Sequence, residues 1–374
     1  MPTRLAPPVV IGGRPLPLLS RARVYVCGIT PYSVTHLGHA ATFVWLDTAV
    51  RVLRHEGVEV EVCRNVTDVD DVLTEAASRA GTPYDELAAM EQFSFDRAMS
   101  ALGVLRPAHE PRAHAYVEPV VRLCATLLDA GHAYETAGTV YFRGADVVAG
   151  SGLDEAAWHT ALRENGENPD DPAKEHPGDV PIWRASSGDE PSWASPWGAG
   201  RPGWHSECAA MAVSVLGASV DLHGGGADLT FPHHAYESAI TEAVTGVHPF
   251  ARAWMRVGLV HHEGSKMAKS TGNLVLVPDL LLEHDAAAVR LMLLDRPWAQ
   301  PWTYDPQRLD AASAVVENLY AAAGQPGTSA GRDAVAAALR DDLDVQGAVR
   351  TALDAGGPAA RFALHVLGLD AAHR

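Results

Sequence analysis

The chain has 374 residues and a formal net charge of −17 at pH 7, which argues against a broad nucleic-acid surface. The length allows one large core with one or two smaller pieces, and no apolar run is long enough to predict a membrane span. The proline- and glycine-interrupted N-terminus does not resemble a signal peptide, and four cysteines give no disulfide framework, which favours a reducing cytoplasm.

The first part of the chain predicts a parallel α/β unit. After an irregular, proline-rich lead over 1–20, residues 23–29 form a short apolar strand. Residues 41–57 carry apolar side chains at helical spacing, and 58–66 alternate like a strand. Strand, helix and strand in succession form a βαβ unit, which favours a parallel sheet.

The remaining elements lie around a polar interruption. Residues 150–200 are rich in Gly, Pro, Asp and Trp, which suits an insertion or a mobile loop. Helices are predicted over 111–134, 204–217 and 233–246, strands over 139–144 and 220–226, and mainly helices from Ala286 onward.

Two histidines bracket a glycine in His36-Leu37-Gly38-His39, at the turn into a helix predicted to begin near Ala40. Free backbone N–H groups and the helix dipole favour an anion there, and two imidazoles can donate to phosphate oxygens. The alternative is a pair of surface histidines at a helix start.

Lysine is rare in this chain, where only Lys174, Lys266 and Lys269 are lysine among 29 basic residues. Two of the three lie in GSKMAKSTGN (264–273), a glycine-flanked loop able to reach one polyphosphate. A solvated surface loop is the alternative.

Four widely separated side chains are candidate metal ligands. Cys27 ends the first strand, Cys208 lies in a predicted helix, and His233 and Glu237 are spaced to share one helix face. Two thiolates with an imidazole and a carboxylate suit Zn²⁺, although buried structural cysteines are the common alternative.

The HLGH and KMAKS segments resemble the HIGH and KMSKS signatures of class I aminoacyl-tRNA synthetases. CGIT, TDVDD (67–71), GRPGWHSECAAMA (200–212) and GGGADLTFPHH (224–234) resemble segments of the cysteinyl-tRNA synthetase family, in the same order. Within that family, CGITPY, THLGHAAT and the PSWASPWGAGRPGWH stretch resemble the mycothiol-pathway cysteine ligases more closely.

The resemblance implies an α/β fold with a Rossmann-like (HUP) doubly wound parallel sheet, an inserted connective region and a C-terminal helical bundle. The expected divisions are 1–20 as a lead, 21–260 as the catalytic domain with an insertion at about 110–200, 261–285 as the KMSKS-type loop and stem, and 286–374 as the helical domain.

The resemblance also implies an ATP-dependent, AMP-forming ligase that adenylates cysteine and transfers it to the amine of glucosaminyl-inositol. Cysteine, the amino-sugar inositol or another amine, and ATP with Mg²⁺ would be the small-molecule substrates of a monomer or small homo-oligomer. Zinc bound to the substrate thiolate would select cysteine over serine without editing. The implied roles are zinc binding by Cys27, Cys208, His233 and Glu237, cysteine binding by Thr30 and Trp204, phosphate chemistry by His36, His39, Lys266 and Lys269 beside Gly38, and adenosine or ribose binding by Asp228 and a Gly224-Gly225-Gly226 turn.

Several positions depart from these patterns. Ser33, Ala235 and Ala268 replace an Asp, a Glu and a Ser, whereas Glu237 is present as in the tRNA synthetases. These departures leave open a paralogue that joins cysteine or another amino acid to a different small amine. The same residues are also compatible with a shortened cysteinyl-tRNA synthetase and with a non-catalytic protein that binds cysteine or an adenylate.

Overall fold

A computed structural model describes residues 8–32, 34–188, 190–267 and 272–370. The predictions made for Ser33, Ala268 and Lys269 therefore lie outside the described residues. No helix in the described ranges is long and apolar enough to cross a membrane.

The strands are short, apart from the two that follow the proline-rich lead. In chain order they are β1 (Val10–Ile11), β2 (Arg14–Pro15), β3 (Arg21–Ile29), β4 (Glu59–Val66), β5 (Ala133–Thr136), β6 (Thr139–Phe142), β7 (Val180–Ala185), β8 (Gly200–Pro202), β9 (Leu222–Gly226), β10 (Trp254–Val257), β11 (Val260–His262), β12 (Ser265–Lys266) and β13 (Trp302–Thr303).

The helices pack around the two four-stranded sheets and then form the C-terminal region, and two smaller sheets have the orders β1-β2 and β12-β11-β13. The helices are α1 (Leu37–His55), α2 (Asp71–Ala80), α3 (Tyr84–Ala101), α4 (Val117–Asp129), α5 (Ala145–Gly150), α6 (Glu155–Glu164), α7 (Trp204–Leu216), α8 (His233–Thr245), α9 (Val277–Glu283), α10 (Ala286–Leu294), α11 (Pro306–Ala323), α12 (Ser329–Arg340), α13 (Val345–Ala355) and α14 (Gly357–Val366).

The central sheet has the order β10-β9-β3-β4, and all its strand pairs are parallel. Helix α1 is the crossover between β3 and β4 and buries most of its residues, because its apolar side chains pack on β4, β9 and β10. The predicted βαβ unit and parallel sheet are therefore present, and α1 begins at Leu37 rather than near Ala40.

Residues 150–200, predicted as an insertion or a mobile loop, form regular secondary structure in part. They contribute α6, β7 and β8, and the latter two complete an antiparallel sheet of order β5-β6-β7-β8. Buried Asp179 explains part of this order, because its carboxylate accepts hydrogen bonds from the Gly144 N–H at 2.8 Å and the Tyr134 hydroxyl at 2.8 Å. The domain divisions at residues 20, 260 and 285 stay predictions.

One hydrophobic core joins the parallel sheet to the C-terminal helices. It runs from α1 and the central strands through α10 to α14, whereas the antiparallel sheet has its own core with α4, α7 and α8. The helical C-terminal region is thus packed directly onto α1.

A buried ionic cluster fixes this junction. Arg290 of α10 is fully buried and pairs with Asp47 of α1, which also receives Arg51 at 2.8 Å. Arg290 donates to the carbonyls of Leu102 and Leu367, at 3.0 and 2.6 Å. One guanidinium therefore connects α1, the end of α3, α10 and the end of α14.

We expect Asp47→Asn to lower the free energy of unfolding by about 3 kcal/mol or more, because it leaves the Arg290 charge buried without its carboxylate. Urea unfolding followed by circular dichroism measures this change. The matched control, Glu118→Gln, removes an exposed i,i+4 partner of Arg122 and should change stability by about 0.5 kcal/mol or less. Equal losses in both variants would contradict the assignment.

Candidate active site

A cleft of about 620 Å³ opens where the parallel strands end. Its lining includes the last residues of β3, β9 and β10 and the residues just after β4, as is usual for ligand sites in open parallel sheets. The sequence-predicted residues that line it are Cys27, Thr30, His36, Gly38, His39, Trp204, Cys208, Gly226, Asp228, His233 and Lys266. Gly224, Gly225 and Glu237 do not line it.

The predicted Gly224-Gly225-Gly226 turn is instead the end of strand β9. A Cβ atom on Gly224 would lie 2.1 Å from Leu46 of α1, and one on Gly225 would lie 2.9 Å from the ring of His234. These two glycines therefore permit α1 and α8 to pack closely on the strand, and only Gly226 reaches the cleft.

Three predicted metal ligands converge at one end of the cleft. Ligand atoms of Cys27, Cys208 and His233 all lie within 4.8 Å of one another, and the three residues are almost completely buried. Asn65 links this cluster to the sheet, because its amide donates to the Cys208 Sγ at 3.3 Å and accepts from the Gly28 N–H at 2.9 Å.

The electrostatics of this cluster suit a cation. Burial disfavours the Cys208 thiolate, but the hydrogen bond with Cys27 and attraction to His233 together lower the pKa of Cys208 to about 6. Burial and the hydrogen bond with Cys208 raise the pKa of Cys27. A thiolate, a second thiol and a buried imidazole nitrogen without a hydrogen-bond partner among the described residues match the donor set that divalent zinc prefers.

Glu237 lies on the other side of Cys27. Its Oε2 accepts from the His223 Nε2 at 3.0 Å and lies 3.7 Å from the Cys27 Sγ. Glu237, His223, His234 and Cys27 form a second group of candidate ligand atoms within 4.8 Å of one another. The structure therefore does not group Glu237 with Cys208 and His233.

The residues expected to contact cysteine lie beside the thiol cluster. The Thr30 hydroxyl is 2.7 Å from that of Thr67, which follows β4. The Trp204 ring stacks on the His233 ring with 4.0 Å between the centroids and an angle of 19° between the planes. The tryptophan thus forms an apolar wall next to the thiol end of the cleft.

His36 and His39 mark another part of the cleft, at the N-terminus of α1. His36 is the N-cap, and its Nδ1 accepts from the Gly38 N–H at 3.1 Å. A Cβ atom on Gly38 would lie 2.8 Å from the His36 ring, so glycine is required for this fold-back. The two imidazoles stack at 4.0 Å and line the cleft, whereas the Leu37 N–H donates to the Val275 carbonyl at 2.9 Å.

Lys266, on β12, reaches the cleft opposite this helix terminus. Its ammonium pairs with Asp228 Oδ2 at 2.6 Å, and both side chains stay partly exposed. The lysine and the carboxylate predicted to contact ATP are therefore ion-paired with each other in the free protein.

Sequence reasoning missed a third part of the cleft. Asp70, Asp71, Val72 and Glu75 of the α2 N-terminus line it together with the segment 163–167 and Arg184. TDVDD was the available signal, but Asp70 reads as a helix cap, and it does cap α2 by accepting from the Val72 N–H at 2.9 Å. No local pattern connects this helix start to residues 163–167.

The profile of the family described as "tRNA synthetases class I (C) catalytic domain" matches residues 18–314. The chain belongs to this family. The family prediction from CGIT, HLGH, GGGADLTFPHH and KMAKS is confirmed. The fold agrees, because methionyl-tRNA synthetase of Mycobacterium tuberculosis superposes with a TM-score of 0.64 at 19% identity, over 94% of this chain and 82% of that structure.

Relatives within the family carry two names. "L-cysteine:1D-myo-inositol 2-amino-2-deoxy-alpha-D-glucopyranoside ligase" of Thermobispora bispora is 41% identical over 88% of this chain and 83% of its own length. The protein of that name from Nocardia farcinica is 43% identical, over 92% and 88%. "Cysteine--tRNA ligase" of Halorhodospira halophila is 41% identical, over 89% and 74%. The predicted resemblance to the mycothiol-pathway ligases and the prediction of a class I synthetase-type ligase are confirmed.

We expect His36 and His39 to remain unprotonated in the free protein well below neutral pH. Burial, then repulsion from His39, lowers the pKa of His36 to about 3, and burial together with Lys266 lowers that of His39 to about 4. Their imidazole NMR signals should not move between about pH 8 and about pH 5, where an ordinary histidine titrates.

The variants His36→Gln and His39→Gln assign the two signals. Because unfolded histidines titrate near pH 6.5, both residues should also lower stability as the pH falls below that value, and each variant should weaken this acid dependence. A midpoint near 6.5 for either imidazole would contradict the buried, neutral state.

Proposed function

We propose that the protein is an ATP-dependent ligase that activates cysteine as its adenylate and transfers the cysteinyl group to the amine of an amino-sugar inositol such as glucosaminyl-inositol. The names of the similar mycothiol-pathway ligases support this acceptor. The observation that carries the proposal is a single cleft lined by Cys27, Cys208 and His233 at one end and by the HLGH helix start and Lys266 elsewhere.

Zinc is the proposed cofactor of the thiol end. Cys27, Cys208 and His233 would supply three ligands, and zinc bound there would hold the substrate's sulfur as a thiolate. Three protein ligands leave one tetrahedral position for that sulfur, which supports selection of cysteine over serine. Trp204 and the Thr30–Thr67 pair would orient the rest of the amino acid.

Adenylation depends on charge stabilisation more than on covalent chemistry by the protein. His36 and His39, at the N-terminus of α1, would donate to the ATP phosphates in the field of the helix dipole, while Lys266 would neutralise charge that develops as pyrophosphate leaves. Lys269 is proposed as the second lysine of that loop. Asp228 would bind the ribose after it releases Lys266.

The third part of the cleft is the proposed acceptor site. Asp70, Asp71, Glu75, Glu164 and Glu167 place five carboxylates around it, with two arginines, Arg163 and Arg184, among them. An ammonium-bearing sugar with several hydroxyls complements such a surface, because carboxylates accept hydrogen bonds from both groups. The acceptor amine would attack the cysteinyl carbonyl from this side and release AMP.

Purified protein supplied with zinc should catalyse cysteine-dependent exchange between ATP and pyrophosphate, and serine should not replace cysteine. Lys266→Met should reduce the exchange rate about a hundredfold or more, since it removes a charge that stabilises the transition state. Asp85→Asn, an exposed change at the start of α3, is the matched control and should retain full exchange. Absence of exchange in the wild type would refute the proposal.

The acceptor is identified by incubating the protein with cysteine, ATP and either glucosaminyl-inositol or cysteine tRNA, with product masses as the readout. We expect a cysteinyl amide of the amino sugar. Charging of tRNA instead would favour the shortened tRNA synthetase, which the 41% identity to a cysteine–tRNA ligase keeps as the second candidate.

Asp70→Asn should raise the KM for the acceptor amine about tenfold while leaving pyrophosphate exchange near the wild-type rate. Asparagine preserves the α2 cap but removes the charge, so the fold is retained. A loss of about 1.4 kcal/mol of binding corresponds to that factor. An unchanged acceptor KM would exclude Asp70 from the acceptor site.

A further inference from the structure

A row of buried side chains runs from the insertion to the metal cluster. The His233 Nδ1 lies 3.0 Å from the His205 Nδ1. The other nitrogen of His205, Nε2, lies 3.8 Å from Glu167 Oε1, which is beyond hydrogen-bond length but close enough for electrostatic attraction, and it has no hydrogen-bond partner among the described residues. All three residues are at least nine-tenths buried. Arg184 holds the carboxylate in place by donating to the same Glu167 oxygen at 3.0 Å.

The ring contacts fix which nitrogen of His233 can bind a metal. Because Nδ1 faces His205, Nε2 is the nitrogen left for the thiol cluster, and it has no hydrogen-bond partner among the described residues. Binding through Nε2 requires a lone pair on that atom. The single proton of the neutral His233 ring must then reside on Nδ1 and be donated to His205.

The contact with His233 also determines the tautomer of His205. Its Nδ1 must accept the proton of His233, so its own proton resides on Nε2 and points toward the Glu167 carboxylate. In the opposite arrangement, His233 would direct an N–H at the two sulfurs, and His205 would direct a lone pair at a carboxylate. The negative charge of Glu167 therefore favours the arrangement in which His233 can bind a metal.

We infer that Glu167 and His205 are positioning residues that hold His233 in the tautomer able to bind the metal, through the chain Glu167–His205–His233. The inference rests on the zinc site of the proposed function. Partners of this kind orient metal-binding imidazoles, and their removal typically lowers metal affinity by about 10- to 100-fold. Here the carboxylate comes from the insertion, outside the parallel sheet.

Stacking holds the His205 ring in place. The His205 ring lies 5.2 Å from that of Tyr236 at 18° and 5.4 Å from that of Trp204 at 29°. Its orientation is thereby defined by α7 and α8, and the carboxylate selects between its two tautomers. Phenylalanine at position 205 should keep these ring contacts but cannot transmit the effect of Glu167 to His233, because its ring has no nitrogen atoms.

The test measures zinc affinity by competition with a chromophoric chelator. Glu167→Gln and His205→Phe should each weaken zinc binding about tenfold or more. In the double variant, the Glu167→Gln change should add nothing to the effect of His205→Phe, because it acts only through that ring. Glu155→Gln, which changes an exposed carboxylate at the start of α6, is the matched control and should leave the affinity unchanged.

Two further measurements separate the possible failures. Because Glu167→Gln also removes the charge that pairs with Arg184, thermal unfolding in the presence of chelator should show a lower midpoint for this variant, and zinc affinities are compared at a temperature where both proteins are folded. His205→Gln replaces His205→Phe if the latter does not fold. Wild-type affinity in Glu167→Gln, or additive losses in the double variant, would overturn the inference. If wild type binds no zinc, or Cys208→Ser binds it equally well, the proposed metal site itself fails.

Discussion

The buried contact between Asp47 and Arg290 is the constraint on which the geometry of the cleft depends. Helix α1 carries His36 and His39 at its N-terminus and this aspartate farther along, so fixing the aspartate fixes the direction of the helix. The guanidinium also binds carbonyls at the ends of α3 and α14. Such a network is costly to bury and contributes less to net stability than to a unique arrangement of these helices.

Around that fixed helix, the parallel sheet brings together groups with opposite electrostatic requirements. At the thiol end, the hydrogen bond with Cys27 and the attraction between Cys208 and His233 overcome the effect of burial, so that the pKa of Cys208 is lowered and that of His233 is raised. At the helix terminus, burial keeps two imidazoles neutral, so positive charge there comes from backbone dipoles and Lys266. Segregation of these ends along one sheet edge allows a soft sulfur and a hard polyphosphate to occupy the same cleft.

The parts of the site that could be predicted from sequence are those with a local cause. A histidine that caps a helix and a lysine in a glycine-flanked loop can be recognised within a few residues, whereas Cys27, Cys208 and His233 could be grouped only through the family resemblance. The three glycines were predicted both to end a strand over 220–226 and to form a turn. The strand is present, and Leu46 and His234 pack against Gly224 and Gly225 within it. Glu237 has the helical spacing of a fourth ligand, yet His223 from the neighbouring strand donates to its carboxylate. The acidic surface opposite α2 depends on a long-range approach of the insertion, which no short pattern encodes.

In the free protein, Lys266 and Asp228 pair with each other, although the proposed function assigns both side chains to the nucleotide. Asp228 pairs with the ammonium group that a phosphate would otherwise approach. Lys266 in turn pairs with the carboxylate that would otherwise accept a hydrogen bond from a ribose hydroxyl. A ligand that offers only a phosphate, or only a sugar, must separate the pair and leave one charge uncompensated. A molecule that offers both groups can replace both halves at once. In the proposed function, the pair would therefore favour intact nucleotides over inorganic phosphate or free nucleosides, by about 1 kcal/mol or less because both side chains are exposed.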